Sequence, residues 1–371
     1  MFGTTPKFVA RNWPAGPHPG FDVDLSYQLD LSEEDRIVVT GGGGFIGGAL
    51  VRRLRGLGFQ VTSFSRRRYP ELDVPGVKQV QGDLADRGCV KQAFGGCTLA
   101  FHVAAKAGVW GRYDDFYGTN VIGTRNVLEA CHDEGIHRLV YTSSPSVVFA
   151  GKDMVGVDES VPYARHFKAA YPKTKATAER MVLEAASEKL ATVALRPHLV
   201  WGPGDSHIIP GLLRRARKGQ LRRLGRREKK VDFTYIDNAV HAHLLAAERL
   251  APGSPINGRA FFVTDDRPVP LWGFINRLLE TADLPPVTKT VHPRVAYAAA
   301  WLIEMLYRGL RIRSEPRLTR FLVEEMATAH WFDISAARRD LGYRPLVDVE
   351  TGMEKVSAWL AETESDTEPE V

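Results

Sequence analysis

Tyr171 and Lys175, in the stretch YPKTKATAER, are the residues whose types and spacing most narrow the chemistry of this chain. Residues four apart on a helix lie on one face, one turn from each other. The lysine charge would then favour the phenolate, so that the tyrosine can exchange a proton with a substrate oxygen near neutral pH. Pro172 is tolerated only in the first turn of a helix, which predicts that Tyr171 lies at a helix start.

Ser144 and Asn120 are two further polar residues that can reach the same cleft. Ser144 closes a predicted strand, where its hydroxyl can hydrogen-bond the substrate oxygen whose charge changes in the reaction. Capping of the following segment is the alternative role for this serine. Asn120, in GTNVIGT, can brace a water molecule or the backbone of the next helix, and helix capping is an equal alternative.

A glycine-rich turn, Gly41-x-x-Gly44-x-x-Gly47, follows the short apolar strand RIVVT and opens a helical stretch. Glycines let a phosphate approach the backbone closely, and a helix N-terminus directs N–H groups and its positive dipole end at that phosphate. A purely structural turn is the alternative. The strand before and the helix after the turn favour a dinucleotide-binding site.

The second predicted strand ends in FSRRR, with Ser65, Arg66, Arg67 and Arg68. NAD-binding sheets usually carry a carboxylate at this point, and none is present here. Because arginine pairs bidentately with phosphate, the sequence predicts NADP(H) rather than NAD(H). A solvated basic loop is the alternative, and we expect at least one of the three arginines to have only that role.

Strand and helix patterns alternate through the first half of the chain, and several strands are apolar on both faces. This arrangement predicts an α/β fold with a parallel, doubly wound sheet. The predicted strands span residues 36–40, 59–65, 77–84, 99–105, 137–144 and 191–197, and the predicted helices span 85–94, 119–134 and 171–187.

The alternation loosens after Trp201, which predicts a smaller C-terminal substrate lobe. There we expect helices at 207–223, in the Val295–Leu310 stretch and at LWGFINRLLETADL, and strands at FTYI and AFFV. The predicted divisions are an N-terminal extension at 1–34, a dinucleotide-binding domain at 35–200, the substrate lobe at 201–360 and a disordered acidic tail at 361–371. Segments near 231–264 are candidates for a return to the first domain.

Composition excludes several classes of protein. The 49 lysines and arginines exceed the 44 aspartates and glutamates only slightly, which does not indicate nucleic-acid binding. Three cysteines without CxxC spacing predict neither a disulfide framework nor a zinc site, and the histidines show no metal-ligand spacing. We see no export signal and no run of about 18 apolar residues, so the predicted location is cytoplasmic.

Two segments suggest surface contacts. Val295–Leu310 is apolar apart from Glu304 and Arg308, and predicts a buried or lid helix, with shallow membrane or lipid contact as the alternative. Arg214–Lys230 is strongly basic and predicts a solvated face. Its alternatives are an acidic partner or carrier, or an anionic membrane surface. No aromatics interleave this run, which argues against single-stranded nucleic acid.

The motifs TGGGGFIGG, GDLAD, FHVAAKAG, NVIGT, YTSSPSV, YPKTK and LRPHLVWGPGD resemble the extended short-chain dehydrogenase/reductases, and most closely their 3β-hydroxysteroid dehydrogenase-like branch. The resemblance covers about residues 36–360. Within the branch, AAKAGVWGRYDDFYGTN, RPHLVWGPGDSHIIP, TYIDNA and LTRFLVEEMATAHWF are similar to bacterial reductases of 2-alkyl-3-oxoalkanoates in long-chain olefin biosynthesis. The sequence departs from these relatives in REKK at Arg227–Lys230 and in its N-terminal extension.

This resemblance implies a Rossmann domain, a homodimer and NADPH-dependent reduction of a 3-keto group on a hydrophobic substrate. It also suggests association with other enzymes of the olefin pathway. Ser144, Tyr171 and Lys175 match the family's catalytic residues, with Asn120 as an auxiliary. Lys175 would also bind the nicotinamide ribose. The full set of expected cofactor contacts is Gly41, Gly44, Phe45, Ile46, Gly47, Ser65, Arg66, Asp83, Leu84, Ala104, Lys175 and Pro197.

Two other functions remain open from the sequence. The same serine, tyrosine and lysine, run in reverse, would oxidise a 3β-hydroxysteroid or a 4-carboxysterol. A catalytically idle NADP-binding scaffold is the second alternative, although a scaffold needs only the glycine turn.

Overall fold

The computed structural model describes residues 35–312 and 314–365, with the side chains of 364 and 365 excluded. The predicted N-terminal extension and the last residues of the predicted tail, 366–371, lie outside the described residues. The strands are β1 (Arg36–Thr40), β2 (Gln60–Ser65), β3 (Val77–Gln81), β4 (Leu99–His102), β5 (Arg138–Thr142), β6 (Met154–Val157), β7 (Ala191–Pro197), β8 (Val200–Trp201), β9 (Arg223–Leu224), β10 (Lys230–Val231), β11 (Thr234–Tyr235), β12 (Arg259–Val263), β13 (Val269–Pro270), β14 (Thr290–Val291) and β15 (His330–Phe332).

Eleven α-helices accompany these strands within the described ranges. They are α1 (Phe45–Gly56), α2 (Arg87–Phe94), α3 (Tyr113–Tyr117), α4 (Gly123–Asp133), α5 (Ala170–Glu184), α6 (Ile208–Arg217), α7 (Ile236–Arg249), α8 (Leu271–Glu280), α9 (Pro293–Gly309), α10 (Arg320–Ala327) and α11 (Val349–Ser365). Short 3₁₀ or π segments lie at Pro70–Leu72, Gly118–Ile122, Pro145–Val147 and Ala337–Leu341.

Seven strands form one parallel sheet in the order β12-β7-β5-β4-β1-β2-β3, which confirms the predicted doubly wound fold. The apolar residues of β1, Ile37, Val38 and Val39, are fully buried, as expected for a strand covered on both faces. The strand order reverses between β1 and β4. A ligand crevice is therefore expected beyond the carboxyl ends of these two strands.

Several predicted strands end earlier than the apolar pattern indicated. β3 ends at Gln81 rather than Leu84, β4 at His102 rather than Ala105, and β5 at Thr142 rather than Ser144. In each case the residues just past the strand end are mostly small or apolar, so their types did not mark the boundary. The residues beyond each strand end form loops at the carboxyl edge, where the candidate site lies.

Two predicted helices are shorter or divided. The predicted 207–223 helix stops at Arg217, because Gly219 adopts a left-handed conformation with φ +60° and the chain then enters β9. The predicted 119–134 helix consists of the π segment Gly118–Ile122 followed by α4. The predicted 171–187 helix is confirmed as α5, and the predicted 295–310 helix as α9.

A second sheet of four strands, β13-β10-β15-β6, lies in the smaller lobe. β6, which the sequence pattern missed, belongs to it, although this strand precedes residue 200. In the other direction, the AFFV segment does return to the large sheet, because β12 pairs with β7. The FTYI segment does not, because β11 pairs with β8.

The predicted disordered tail is wrong for its first residues, because α11 continues to Ser365. The prediction rested on the polar composition of these residues. The buried residues Val349, Met353 and Val356 anchor the earlier turns of the same helix, and the helix continues beyond them. In the described part of the chain, no helix has both the length and the apolar character needed to cross a membrane.

Candidate active site

Lys175 is held under the end of β5 by its helix. Tyr171 is the second residue of α5, as Pro172 predicted, and Lys175 lies one turn later, only 2% exposed. The lysine Nζ donates a hydrogen bond of 2.6 Å to the carbonyl oxygen of Thr142 and lies 4.1 Å from the centroid of the Tyr141 ring. The ammonium is thus fixed at the carboxyl edge of the sheet.

Burial shifts both side chains of the pair towards their neutral forms. It raises the pKa of Tyr171 to about 12, an effect that a hydrogen bond with Ser144 opposes and the charge of Glu325 reinforces. It lowers the pKa of Lys175 to about 7, against the favourable charge of Glu179. The lowered tyrosine pKa that we expected is therefore not present, because the ammonium is directed at Thr142 and Tyr141.

Ser144 caps the segment that follows it and also contacts Tyr171. Its Oγ caps the 3₁₀ turn Pro145–Val147 by accepting a hydrogen bond of 3.2 Å from the Ser146 amide. The same hydroxyl donates to the Ser146 Oγ at 3.0 Å and interacts with the phenol of Tyr171. Ser144 and Tyr171 therefore meet, as expected for two groups that bind one substrate oxygen.

Asn120 braces the backbone beside the site and does not cap a helix. It lies in the π segment Gly118–Ile122, a distortion that often marks functional sites. Its Oδ1 accepts from the Lys106 amide at 2.7 Å, and its Nδ2 donates to the Lys106 carbonyl at 3.1 Å and to Thr174 Oγ1 at 3.0 Å. Asn120 thus ties the loop after β4 to α5, next to Lys175.

A buried ion pair supports α5 from behind, and the sequence analysis missed it. Glu179, one turn beyond Lys175, receives two hydrogen bonds from Arg196 on β7, at 2.6 and 3.0 Å, and one from the Tyr163 hydroxyl at 2.6 Å. Buried charges need close pairing of this kind to be tolerated. The repeat of polar residues at 171, 175 and 179 was the available signal.

The glycine turn fits the pyrophosphate of a dinucleotide. Gly41 has φ +74°, and a Cβ there would lie 2.8 Å from the Cα of Ala104, so only glycine permits this close approach. A Cβ on Gly47 would lie 2.1 Å from the Gly41 carbonyl oxygen. Among the described side chains, none caps the N-terminus of α1 at Gly44. The first-turn amides, those of Phe45 and Ile46 included, could therefore hold a phosphate.

The serine and the three arginines at the end of β2 make different contacts. The Ser65 hydroxyl accepts a 3.1 Å hydrogen bond from the Gly43 amide, which ties it to the glycine turn, and the Arg66 side chain is exposed beside it. Arg68 is instead engaged by Asp73 through hydrogen bonds of 2.8 and 3.0 Å. Arg67 lies 4.9 Å from the ring centroid of Tyr69.

The remaining expected contacts lie along the same edge. Asp83 is exposed in the loop after β3 and accepts a 2.8 Å hydrogen bond from the Ala85 amide, while Leu84 is buried. Pro197 is the last residue of β7, and Leu199 just beyond it has φ +43°. A bulky residue in the left-handed region is strained, and such strain is concentrated at functional sites.

Glu325 is a further residue that sequence reasoning missed. It lies on α10, in the smaller lobe, close enough to Tyr171 for its charge to raise the pKa of the phenol. Burial raises the pKa of the Glu325 carboxyl itself to about 8. The second lobe therefore contributes a carboxyl group beside Tyr171 whose pKa is raised above its ordinary value.

Comparisons with known proteins place the chain in one family. The model of the 3-beta hydroxysteroid dehydrogenase/isomerase family matches residues 38–294. The chain is 50% identical to a 2-alkyl-3-oxoalkanoate reductase of Stenotrophomonas maltophilia, over 87% of this chain and 98% of the relative. It is 35% identical to a sterol-4-alpha-carboxylate 3-dehydrogenase, decarboxylating, of Mus musculus, over 88% and 91% of the two chains.

Among solved structures, MoeE5 in complex with UDP-glucose and NAD superposes with a TM-score of 0.68 at 25% identity, covering 89% of this chain and 99% of that one. The fold is thus shared with a protein whose structure was solved with NAD bound. The chain belongs to the 3-beta hydroxysteroid dehydrogenase/isomerase family, and it is an oxidoreductase that uses a nicotinamide dinucleotide.

Proposed function

We propose that this protein reduces the 3-keto group of a 2-alkyl-3-oxoalkanoate to the 3-hydroxy group, with NADPH, as a step of long-chain olefin biosynthesis. The observation that carries the proposal is the meeting of Tyr171 and Ser144 beside the buried Lys175, at the sheet edge that also holds the glycine turn. The 50% identity to a reductase of this name supports the substrate class.

The side chains divide the work on the ketone oxygen. When bound, NADPH supplies the hydride for the ketone carbon. Ser144 donates a hydrogen bond to the oxygen as negative charge develops on it, and Tyr171 gives that oxygen its proton. Asn120 and the ion pair of Glu179 with Arg196 keep α5 and the neighbouring loop in place, so that the phenol does not have to be repositioned during turnover.

Lys175 has two tasks in this proposal. It binds the ribose hydroxyls of the nicotinamide half of the cofactor. Once its ammonium turns away from the Thr142 carbonyl, its positive charge stabilises the phenolate form of Tyr171. With a pKa of about 7, it can accept or release a proton at physiological pH. Lys175 therefore relays protons between Tyr171 and the solvent.

Ser65 and Arg66 support NADPH as the donor. They would take the 2′-phosphate, because the serine is already anchored on the glycine turn and no carboxylate follows β2. Asp83 and Leu84 would contact the adenine. Pro197, with the strained Leu199, would flank the nicotinamide.

The assembly follows from family resemblance. We infer a homodimer in the cytoplasm that associates with other enzymes of the olefin pathway. The apolar segment 318–331, which contains α10, would suit the alkyl chains of the substrate, since each buried methylene contributes about 0.8 kcal/mol.

A sterol substrate is the second candidate, and the 35% identity to the mouse sterol-4-alpha-carboxylate 3-dehydrogenase favours it. The two substrate classes share a carboxyl group near the reacting carbon and a large apolar body. The same serine, tyrosine and lysine would then act in the oxidative direction. A catalytically idle NADP-binding scaffold is the third candidate.

The test is cofactor consumption by the purified protein with a panel of 2-alkyl-3-ketoacids, simple β-ketoacids and sterols, using NADPH and NADH in parallel. We expect the highest kcat/KM with NADPH and a 2-alkyl-3-ketoacid. Turnover confined to sterols would favour the second candidate, a sterol dehydrogenase. Tight NADPH binding without turnover of any ketone would favour the scaffold.

A further inference from the structure

One helix of the smaller lobe exposes an unusually apolar surface. Of the nine large hydrophobic residues that are exposed in the described part of the chain, six lie on α9 or immediately after it, each 46–63% exposed. We call this set the α9 face; it comprises Val295, Trp301, Leu302, Met305, Leu306 and Leu310. Contiguous exposed apolar surface of this kind usually marks an interaction site.

The opposite side of α9 is packed against the rest of the protein, and the acidic side chain of the helix is buried there. Ala296, Ala300 and Glu304 are buried. Glu304 accepts hydrogen bonds from the Arg320 amide and guanidinium, at 2.7 to 2.9 Å, and pairs with Arg308 at 3.6 Å. Since Glu304 is the only acidic residue of α9, the α9 face carries no negative charge.

Cationic residues surround the α9 face at both ends. Arg294 is exposed at the start of the helix, and Arg308 and Arg311 are exposed at its end. β14, which leads into α9, pairs with β9 inside the basic run 214–230, so the exposed Arg226 and Arg227 lie on the loop beside the helix start. The one acidic residue of that loop, Glu228, is paired with Arg223. An amphipathic helix with an apolar face and a basic border is the type that lies in a membrane interface.

We propose that the α9 face docks on an anionic lipid surface, with the helix lying in the interface and the bordering arginines on the headgroups. A second copy of the chain fits this face poorly. A two-fold contact would bring the same arginines together from both copies, and the face has no carboxylate to pair with them.

The docking helix is connected to the active site through Trp110, in the loop after β4. The Trp110 Nε1 donates to the Ile312 carbonyl at 3.4 Å, and its ring packs edge-on against Tyr307, with centroids 6.0 Å apart. The same loop is held by Asn120 through Lys106. Docking would therefore bring the loop of Trp110 and Lys106 close to the lipid surface. A role of this loop in substrate entry rests on the proposed alkyl substrate, whereas the docking itself does not.

The test is flotation of the full-length protein with vesicles of phosphatidylcholine alone or mixed with phosphatidylglycerol, at low and high salt. We expect co-flotation with the anionic vesicles at low salt, weakened by salt. The double variant Leu302→Ser/Leu306→Ser should reduce the bound fraction at least tenfold. Val155→Ser, which removes an exposed valine elsewhere, is the matched control and should bind like the wild type.

Two readouts keep docking separate from catalysis. Turnover of a short, water-soluble 2-alkyl-3-ketoacid should be the same in the double variant and the wild type, whereas turnover of vesicle-borne long-chain substrate should fall. Absence of flotation, or equal flotation of the double variant, overturns the docking proposal whatever the activity. A double variant that turns from dimer to monomer by light scattering also overturns it, because a second copy then covers the face.

Discussion

The ammonium of Lys175 lies 2.6 Å from the Thr142 carbonyl oxygen, at the end of the central strand β5. The lysine thus bonds the sheet backbone, while Tyr171, one turn earlier on the same helix, meets Ser144 instead. Burial in this position lowers the pKa of Lys175 from 10.5 to about 7. A charge placed there is costly for the fold, which is typical of a residue kept for chemistry.

Lys175→Met should change how stability depends on pH. Between pH 10.5 and pH 7, the unfolded wild-type chain takes up a proton on Lys175 that the folded chain does not, so the wild-type unfolding free energy falls as the pH falls. The slope from this group reaches at most about 1.4 kcal/mol per pH unit. Urea unfolding at pH 7 and pH 10 should show this component in the wild type and not in the variant. An identical pH dependence in both proteins would contradict the buried-lysine interpretation.

Tyr171→Phe should abolish proton delivery and leave cofactor binding intact. We expect kcat to fall by roughly 10²–10⁴-fold, the usual contribution of general acid catalysis. NADPH affinity, followed by fluorescence titration, should stay near the wild-type value. Tyr113→Phe, which alters an exposed tyrosine on α3, is the matched control. If the Tyr171 variant keeps near wild-type kcat, its assignment as the proton donor fails.

Glu325→Gln should alter the alkaline side of the activity profile. Glu325 is neutral below its pKa of about 8; above that pH its charge raises the pKa of Tyr171 and makes the phenol a weaker acid. Reduction by the wild type should therefore slow above pH 8, and the variant should lack this decline. Glu324→Gln, at a carboxylate paired with Lys168, should keep the wild-type profile. The measurement is kcat/KM between pH 6 and pH 9.

Asn120→Ala should loosen the loop after β4 from α5. The substitution removes the side-chain partner of the part-buried amide and carbonyl of Lys106, at a cost of about 1–3 kcal/mol. It also removes one of the hydrogen bonds of the Thr174 hydroxyl. We expect a lower unfolding free energy together with a fall in kcat. Asn120→Asp retains the acceptor for the Lys106 amide and should recover part of the stability. Wild-type kcat and stability in Asn120→Ala would rule out the bracing role.

Arg66→Ala should weaken the binding of NADPH without changing the binding of NADH. Loss of a charge-assisted contact to the 2′-phosphate should raise the KM for NADPH by about 10- to 100-fold. Arg68→Ala is the matched control, because its guanidinium is already engaged by Asp73. Equal losses for both cofactors in the Arg66 variant would place the arginine outside the phosphate site.

The parallel sheet, the glycine turn and the placement of Tyr171 and Lys175 one turn apart at the start of a helix could all be predicted from the sequence. Each depends on a local signal: apolar strands such as RIVVT, glycines at fixed spacing between a strand and a helix, and the spacing of Tyr171, Lys175 and Pro172 on one helix. Such signals involve only residues that are close in sequence, so they can be recognised without knowledge of the fold.

The tertiary structure alone decided which groups meet. It directed Lys175 to Thr142, brought Glu325 from the smaller lobe to Tyr171, and paired Glu179 with Arg196 across α5 and β7. It also buried Glu304 and left the α9 face open. Burial and long-range pairing depend on elements far apart in the chain, and the pKa of each of these groups follows from that burial rather than from its neighbours in sequence.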